Sequence, residues 1–285
     1  MQDFSGKTAF VTGGASGIGL AMVEAFLEQG MNVALADIEE PARAGALETL
    51  AAHGLRLRAI PCDAASRASV VAARDAAIAA FGPIHILCNN AGVGTGGPID
   101  TVPPAAWQWL MGVNLMGVIH GLSEFVPHMK QHGQPSHIVN TGSMAGMNGF
   151  RGMGPYCASK AAVVSLSEAL ASELEETPIG VSVLCPGAVN TSFYESRRNA
   201  PATVPPPPSN SREGRALAQG TRLSMDHGIT PAEVAARVLQ GIRDRDLYIF
   251  THPQMRSMID DRHARLSAAF DRSAAFDKSA AFRPT

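Results

Sequence analysis

Short apolar, β-rich runs alternate with longer helical stretches along most of the chain, and this alternation constrains the fold more than any other feature. Lys7–Thr12 (KTAFVT) reads as a buried strand, and Gly17–Gln29 follows with Ile18, Met22, Val23, Phe26 and Leu27 at a helical period. The pair recurs as strand Asn32–Asp37 with an Ala-rich helix Pro41–His53 stopped by Gly54, then strand Leu57–Cys62 with helix Ser66–Phe81. In that helix Ser66 is the candidate N-cap and Gly82 the stop. Strand Ile84–Asn89 precedes a long helix within Pro104–Lys130, expected to break near Gly121 or Pro127. Strand His137–Thr141, helix Pro155–Glu175, strand Val181–Cys185, helix Thr230–Asp244 and strand Leu247–Phe250 complete the series. Thr230 is placed to cap the last helix, with Pro231 at its first position. Apolar strands joined through helices need crossover connections, hence a parallel sheet covered on both faces. Right-handed crossovers make the fold doubly wound, with ligands at the carboxyl ends of the strands. The expectation is a single α/β domain over residues 1–285, with a seven-stranded parallel sheet.

Composition closes off other classes. Apolar residues make up 46% and charged residues 17% of the chain, too apolar for disorder and not patterned for a coiled coil. Lys and Arg number 23 against 25 Asp and Glu, so no basic excess points to nucleic acid. Cys62, Cys88, Cys157 and Cys185 lie far apart without a CxxC pair, as expected of reduced thiols in a cytoplasmic protein. The opening MQDFSGKTAFVTGG has no basic region followed by an apolar stretch, so no signal peptide is expected. No uninterrupted apolar run reaches the ~18 residues of a membrane span, and no membrane partner is expected. His128 and His132 have the only metal-like histidine spacing, without an intervening Glu or a third ligand, so no metal site is assigned.

Two segments break the rhythm. Residues 188–229 are long and irregular, with Pro201 and the run Pro205–Pro208, and suit a lid over a substrate. Residues 253–285 form a C-terminal extension with repeats of SAAF that place Phe270, Phe276 and Phe282 six apart. That spacing is about 240° around a helix and makes no single apolar face. A frayed or partly ordered tail is expected, a subunit contact being the other reading.

Gly13, Gly17 and Gly19 in TGGASGIG follow the first strand and open a helix, where small residues let a pyrophosphate approach the amides of a helix N-terminus. Asp37 ends the second strand, where a carboxylate can accept from an adenosine ribose and repel a 2′-phosphate. No Lys or Arg lies in the glycine turn or just after Asp37, which favours NAD over NADP. Asp63, at the end of the third strand, could meet the adenine edge or cap the next helix. Tyr156 and Lys160 are four apart on a helix, hence on one face. A phenol with its usual pKa of ~10 carries protons poorly at neutral pH, and a nearby ammonium favours the phenolate. Ser143, just past the fifth strand, could orient the same substrate oxygen.

TGGASGIG at 12–19, NNAG at 89–92, Asn114 in NLMG, Ser143, YCASK at 156–160 and PGAVNT at 186–191 together resemble the short-chain dehydrogenase/reductase family. The resemblance runs from residue 5 to about 192, and more loosely to 252. It implies a Rossmann-type fold and a catalytic tetrad of Asn114, Ser143, Tyr156 and Lys160. Tyr156 is then the acid/base, Ser143 orients the carbonyl or hydroxyl, Lys160 lowers the Tyr156 pKa and binds the nicotinamide ribose, and Asn114 holds a water behind Lys160. The implied NAD site takes in Gly13, Ser16, Gly17, Ile18, Gly19, Asp37, Ile38, Asp63, Ala64, Asn90, Ala91, Gly92, Pro186, Gly187, Val189 and Thr191. NLMGVIHG, HIVNTGSMAG, GVSVLCPG and LYIFTHP are similar to bacterial NAD-dependent secondary-alcohol dehydrogenases for bulky aryl ketones, of the lignin Cα-dehydrogenase type. Met144, Phe150, Phe193 and Tyr194 are then expected as apolar walls of the substrate pocket. The family also implies a homotetramer or homodimer. The expected activity is interconversion of a secondary alcohol and its ketone. A 3-oxoacyl or steroid-type ketone is the alternative substrate, and a non-catalytic NAD(H)-binding regulator the alternative of another class.

Overall fold

In the computed structural model, which describes residues 1–205, 219–220 and 222–276, the apolar runs form one parallel sheet of seven strands. These are β1 (Thr8–Thr12), β2 (Asn32–Asp37), β3 (Leu57–Pro61), β4 (Ile86–Asn89), β5 (Ser136–Thr141), β6 (Ile179–Cys185) and β7 (Tyr248–Phe250). Their order is β3-β2-β1-β4-β5-β6-β7. Phe10 of β1 lies opposite Ala34 of β2 on one side and Leu87 of β4 on the other. The chain reverses direction of winding between β1 and β4, which opens a crevice at the carboxyl ends of those strands. The expected doubly wound Rossmann architecture is present.

The helices that position this crevice are α1 (Gly17–Glu28), α2 (Glu40–Thr49), α3 (Arg67–Phe81), α4 (Pro104–Met111), α5 (Gly117–His132), the single turn α6 (Met144–Met147), α7 (Gly154–Glu173) and α8 (Pro231–Asp244). Helices α1 and α8 pack together, burying Met22, Val23 and Phe26 with Val234, Val238 and Ile242 against Val11, Val33 and Leu35. Across the sheet Phe10 meets Phe125 of α5 with ring centroids 4.7 Å apart. Each such fully buried side chain contributes about 2 kcal/mol. The boundaries follow the expected local chemistry. The Ser66 side chain accepts from Ser69 N, and Gly82 stops α3 at φ 74°. Thr230 and Glu233 cap α8 reciprocally, with Pro231 in the first turn.

The long helix departs from expectation. It passes through Gly121 and Pro127 and changes pitch instead at Gly112–Met116, one π-helical turn between α4 and α5. Gly121 has a packing role, since a Cβ there would run into the Asn89 side-chain carbonyl. Residues 104–132 include a window of mean hydropathy 1.2, long and apolar enough to cross a membrane by length and composition. Here Leu110, Phe125 and Met129 on that helix are fully buried within the domain.

Two other departures are local. The helix expected through His53 ends at Thr49 and continues as a 3-10 segment, Ala51–Arg56, in which Gly54 takes φ 55°. Turn α6 had no periodic signature, being only four residues long.

The described residues divide into two units, Met1–Thr251 and His252–Thr285. In the second, α9 (Arg256–Phe276) is a helix that takes in the first two SAAF copies, in keeping with their Ala content, while the extension beyond it lies outside the described residues. Phe282 and Pro206–Pro208 lie outside the described residues.

Buried histidine makes the domain acid-sensitive. His137 on β5 is 1% exposed and shares a hydrogen bond of 2.8 Å between its Nε2 and Ser182 Oγ. Burial pushes its pKa from 6.5 down to about 3. The folded ring stays neutral while the unfolded one takes a proton, so this stability is complete above pH 6.5 and drains as pH falls toward 3. At pH 4.5, two units below the unfolded pKa, the loss is on the order of 3 kcal/mol. Urea unfolding at pH 7.5 and 4.5 should show a smaller difference for His137→Gln than for the parent chain. Equal differences would remove His137 as a cause.

Candidate active site

A cleft of about 340 Å³ runs along the carboxyl edge of the sheet, from Asp37 to Tyr156 and Lys160. Its floor is the turn between β1 and α1. Gly13 (φ 60°) and Gly17 (φ 53°) adopt left-handed backbone, and a Cβ on Gly13 would come 2.9 Å from the Ala91 Cα. A Cβ on Gly19 would collide with the Gly13 carbonyl oxygen, so Gly19 sits behind the turn and does not line the cleft. Ser16 caps α1 by backbone position with no side-chain bond, leaving the first amides of the helix to a ligand. This cradle has the shape and donors that a pyrophosphate requires.

The NNAG segment braces the turn. Asn90 N and Ala91 N donate to Thr12 Oγ1 at 2.9 and 3.0 Å. Asn90 Nδ2 donates to the carbonyls of Thr12 and Gly13 at 3.0 and 3.2 Å. Thus Asn90 holds the glycine turn as well as lining the cleft.

At the adenosine end Asp37 is buried, its carboxylate accepting from Ala15 N and Glu39 N, both at 3.0 Å. Each oxygen keeps a lone pair for a ribose hydroxyl. Two cations are also here. Arg43, six residues after Asp37, donates to the Asp37 backbone carbonyl at 2.8 Å, and Arg198 is paired with Glu39 at 2.7 Å. The Arg198 charge is thus met by a carboxylate, whereas Arg43 meets a neutral carbonyl and leaves a cation beside Asp37. Ile38, Asp63, Ala64, Pro186, Gly187, Val189 and Thr191 also border the cleft, as expected. Asp63 caps its own turn through Ala65 N at 2.9 Å.

The opposite end assembles the polar set from three separate elements. Ser143, at the end of β5, is extended at φ −176° and caps α6, its Oγ accepting from Ala145 N at 3.0 Å. Tyr156 and Lys160 project from the first turns of α7. Lys160 Nζ donates to the Thr141 carbonyl at 2.8 Å and lies 5.7 Å from the Tyr156 ring centroid. Burial pushes the Tyr156 phenol up to about 12, opposed by the Ser143 hydroxyl, and pushes Lys160 down to about 8. The Ser143 hydroxyl, and not Lys160, is the group that favours the Tyr156 phenolate here, and desolvation outweighs it.

Asn114 is fully buried behind the cleft, in the π-helical turn. Its side chain accepts from Val93 N at 2.8 Å and donates to Val93 O at 2.9 Å and Ser159 Oγ at 3.3 Å. The extra residue of a π turn presents this amide to the 90–94 loop and links that loop to α7.

The apolar walls differ from those expected. Phe193 lines the cleft, its ring 5.6 Å from that of Tyr156. It fits because residue 94 is glycine, where a Cβ would lie 2.9 Å from the ring. Met144 is buried, Phe150 is half-buried with its N–H on Cys157 Sγ, and Tyr194 is exposed under the Arg222 guanidinium; none of the three borders the cleft. Val93, Trp109, Val113 and Met225 stand there instead. Trp109 and Val113 are four apart on a helix, a spacing that reads equally well as core.

The short chain dehydrogenase family model matches residues 7–202. A solved short-chain dehydrogenase/reductase from Burkholderia phymatum, in complex with NAD, is 38% identical with TM-score 0.91, covering 94% of this chain and 97% of that one. "C alpha-dehydrogenase" of Sphingobium sp. is 35% identical over 261 residues, 91% of this chain and 85% of the relative. "CLA biosynthesis dehydrogenase/reductase" of Lactiplantibacillus plantarum is 32% identical over 271 residues, 93% of this chain and 95% of the relative. With the glycine cradle, the buried carboxylate and the Ser–Tyr–Lys set on a Rossmann sheet, this chain belongs to the short-chain dehydrogenase family.

Proposed function

We propose that the chain is an NAD-dependent dehydrogenase interconverting a secondary alcohol and its ketone, with a bulky or aromatic substrate. The observation that carries this reading is one cleft with Asp37 at one end and Ser143, Tyr156 and Lys160 at the other. The glycine cradle and Asp37 suit NAD, as does the NAD complex of the Burkholderia relative. NAD, when bound, supplies the hydride acceptor or donor.

Every other step belongs to this chain's residues. The Ser143 hydroxyl orients the substrate oxygen, and Tyr156 Oη exchanges a proton with it. In the reducing direction the protonated phenol donates directly. In the oxidising direction the phenol must first be lowered from about 12 by positive charge near it, which Lys160 and the oxidised cofactor provide. Asn114 fixes the 90–94 loop against α7, so the groups keep their spacing. Phe193, whose ring lies on Tyr156, offers an apolar wall for an aryl group, in keeping with the likeness to "C alpha-dehydrogenase".

The test is reduction of NAD to NADH, or of NADP to NADPH, with secondary alcohols graded from small aliphatic to bulky aryl. NAD should outperform NADP, and aryl alcohols should outperform aliphatic ones. Phe193→Ala should raise KM for the aryl substrates by about tenfold, the loss of one aromatic contact. Preference for small aliphatic alcohols would overturn the substrate class and leave the cofactor reading intact.

A further inference from the structure

The segment after β6 is tied down at three points along the cleft. At the reactive end, Thr191 Oγ1 accepts from Phe193 N, and the Phe193 ring lies on Tyr156. Midway, Ser196 is buried and its Oγ accepts from Gly94 N at 2.8 Å. At the adenosine end, Arg198 and Asn199 close on Glu39, two residues past Asp37. Ser192–Asn199 is a 3-10 segment, so these ties span its whole length.

The last tie joins parts of the chain about 160 residues apart, with three hydrogen bonds converging on one carboxylate. Arg198 Nε reaches Oε2 at 3.0 Å and a terminal nitrogen reaches Oε1 at 2.7 Å; Asn199 Nδ2 reaches Oε1 at 2.7 Å. A two-pronged guanidinium–carboxylate bond has defined geometry, unlike most surface pairs. The Arg198 side chain is 39% exposed and that of Glu39 24%, so salt can reach the pair and weaken it. Arg198 lowers the Glu39 carboxyl, keeping it ionised across the neutral range. Glu39, Arg198 and Asn199 all border the cleft that holds Asp37 and the glycine turn.

We propose that Glu39 is a positioning residue that clasps the 192–199 strap across the cofactor cleft, so that NAD(H) leaves at the rate at which the clasp opens. The proposal rests on the NAD reading above. Because the same strap carries Phe193 to Tyr156, the clasp also couples occupancy of the adenosine end to the seating of the reactive end. It further withholds the Arg198 charge from the ribose position.

The experiment is stopped-flow displacement of bound NADH by excess NAD, followed by NADH fluorescence, on the full chain. Glu39→Gln and Arg198→Ala should each speed dissociation about tenfold, as expected for a charge-assisted pair. The double variant should be no faster than either single one. Arg198→Lys should recover part of the effect. Added NaCl should accelerate release from the parent chain but not from Glu39→Gln, a readout that a merely structural residue would not move. Asn199→Ala removes one bond of the three, should show a smaller acceleration, and serves if a larger change impairs folding. Off-rates within twofold of the parent, or independent effects in the double variant, would overturn the clasp while leaving the NAD reading standing. Failure of the parent chain to bind NADH would overturn the NAD reading, and the clasp with it.

Discussion

Tyr156→Phe should cut turnover about 10³-fold, within the range that a positioned acid/base supplies, while NADH affinity stays within twofold. The substitution removes one oxygen at the end of a ring that still packs on Phe193 at the same place. Tyr156 contributes no hydroxyl hydrogen bond to the glycine cradle or to Asp37, so the cofactor contacts survive. The phenol sits in a desolvated position with its pKa pushed up to about 12, so in the parent chain it remains loaded with the proton that a ketone needs. A phenylalanine has no proton to give, and water is a poor substitute where the Phe193 ring lies 5.6 Å from that of Tyr156. Steady-state rates paired with NADH titration check this. Turnover retained within threefold would remove Tyr156 from the acid/base role. A parallel loss of NADH binding would instead assign it to cofactor binding.

Gly19→Ala should cost about 3 kcal/mol of stability, the upper end of what overpacking costs, and abolish measurable NADH binding. The new methyl would overlap the Gly13 carbonyl oxygen and press on Asn90 Nδ2. Neither can yield easily. The carbonyl belongs to a turn held at φ 60°, and the Asn90 amide is already bonded to the carbonyls of Thr12 and Gly13. Relief therefore requires the whole turn to shift away from the N-terminus of α1, which destroys the cradle. At 2–4 °C per kcal/mol for a domain of this size, Tm should fall by about 6–12 °C. Gly45→Ala is the control, since a Cβ there meets nothing within 4 Å; inside α2 it should leave NADH binding unchanged and raise stability by about 0.5–1 kcal/mol. A Gly19→Ala chain with parental NADH affinity would separate the glycine turn from cofactor binding.

The cofactor end was more legible in the sequence than the substrate end. Gly13, Gly17 and Asp37 lie at strand ends, where neighbouring residues alone dictate turn geometry and charge. The apolar lining of the cleft comes from residues distant in the chain, and that is where expectation and structure part. Met144, Phe150 and Tyr194 were placed by nearness to Ser143 and Thr191, yet Met144 faces the domain interior and Tyr194 lies under Arg222. Trp109 and Val113 carried no signal separating a cleft wall from a core face, since both roles use the same helical spacing. Arg198 was invisible for a related reason. Its partner Glu39 is far away in sequence, and only the crossing of the strap brings them together.

The sequence by itself determined the strand–helix alternation, hence the doubly wound sheet, and the motifs that sit where strands end. Those features depend on local periodicity, capping and glycine conformation, which a run of a few residues encodes. Tertiary structure alone decided that the Tyr156 phenol would be desolvated, that the long helix would yield at Gly112–Met116 to deliver Asn114, and which apolar side chains would line the cleft. Desolvation, helix pitch under packing and the approach of distant segments are properties of the assembled core, and no short stretch of sequence carries them.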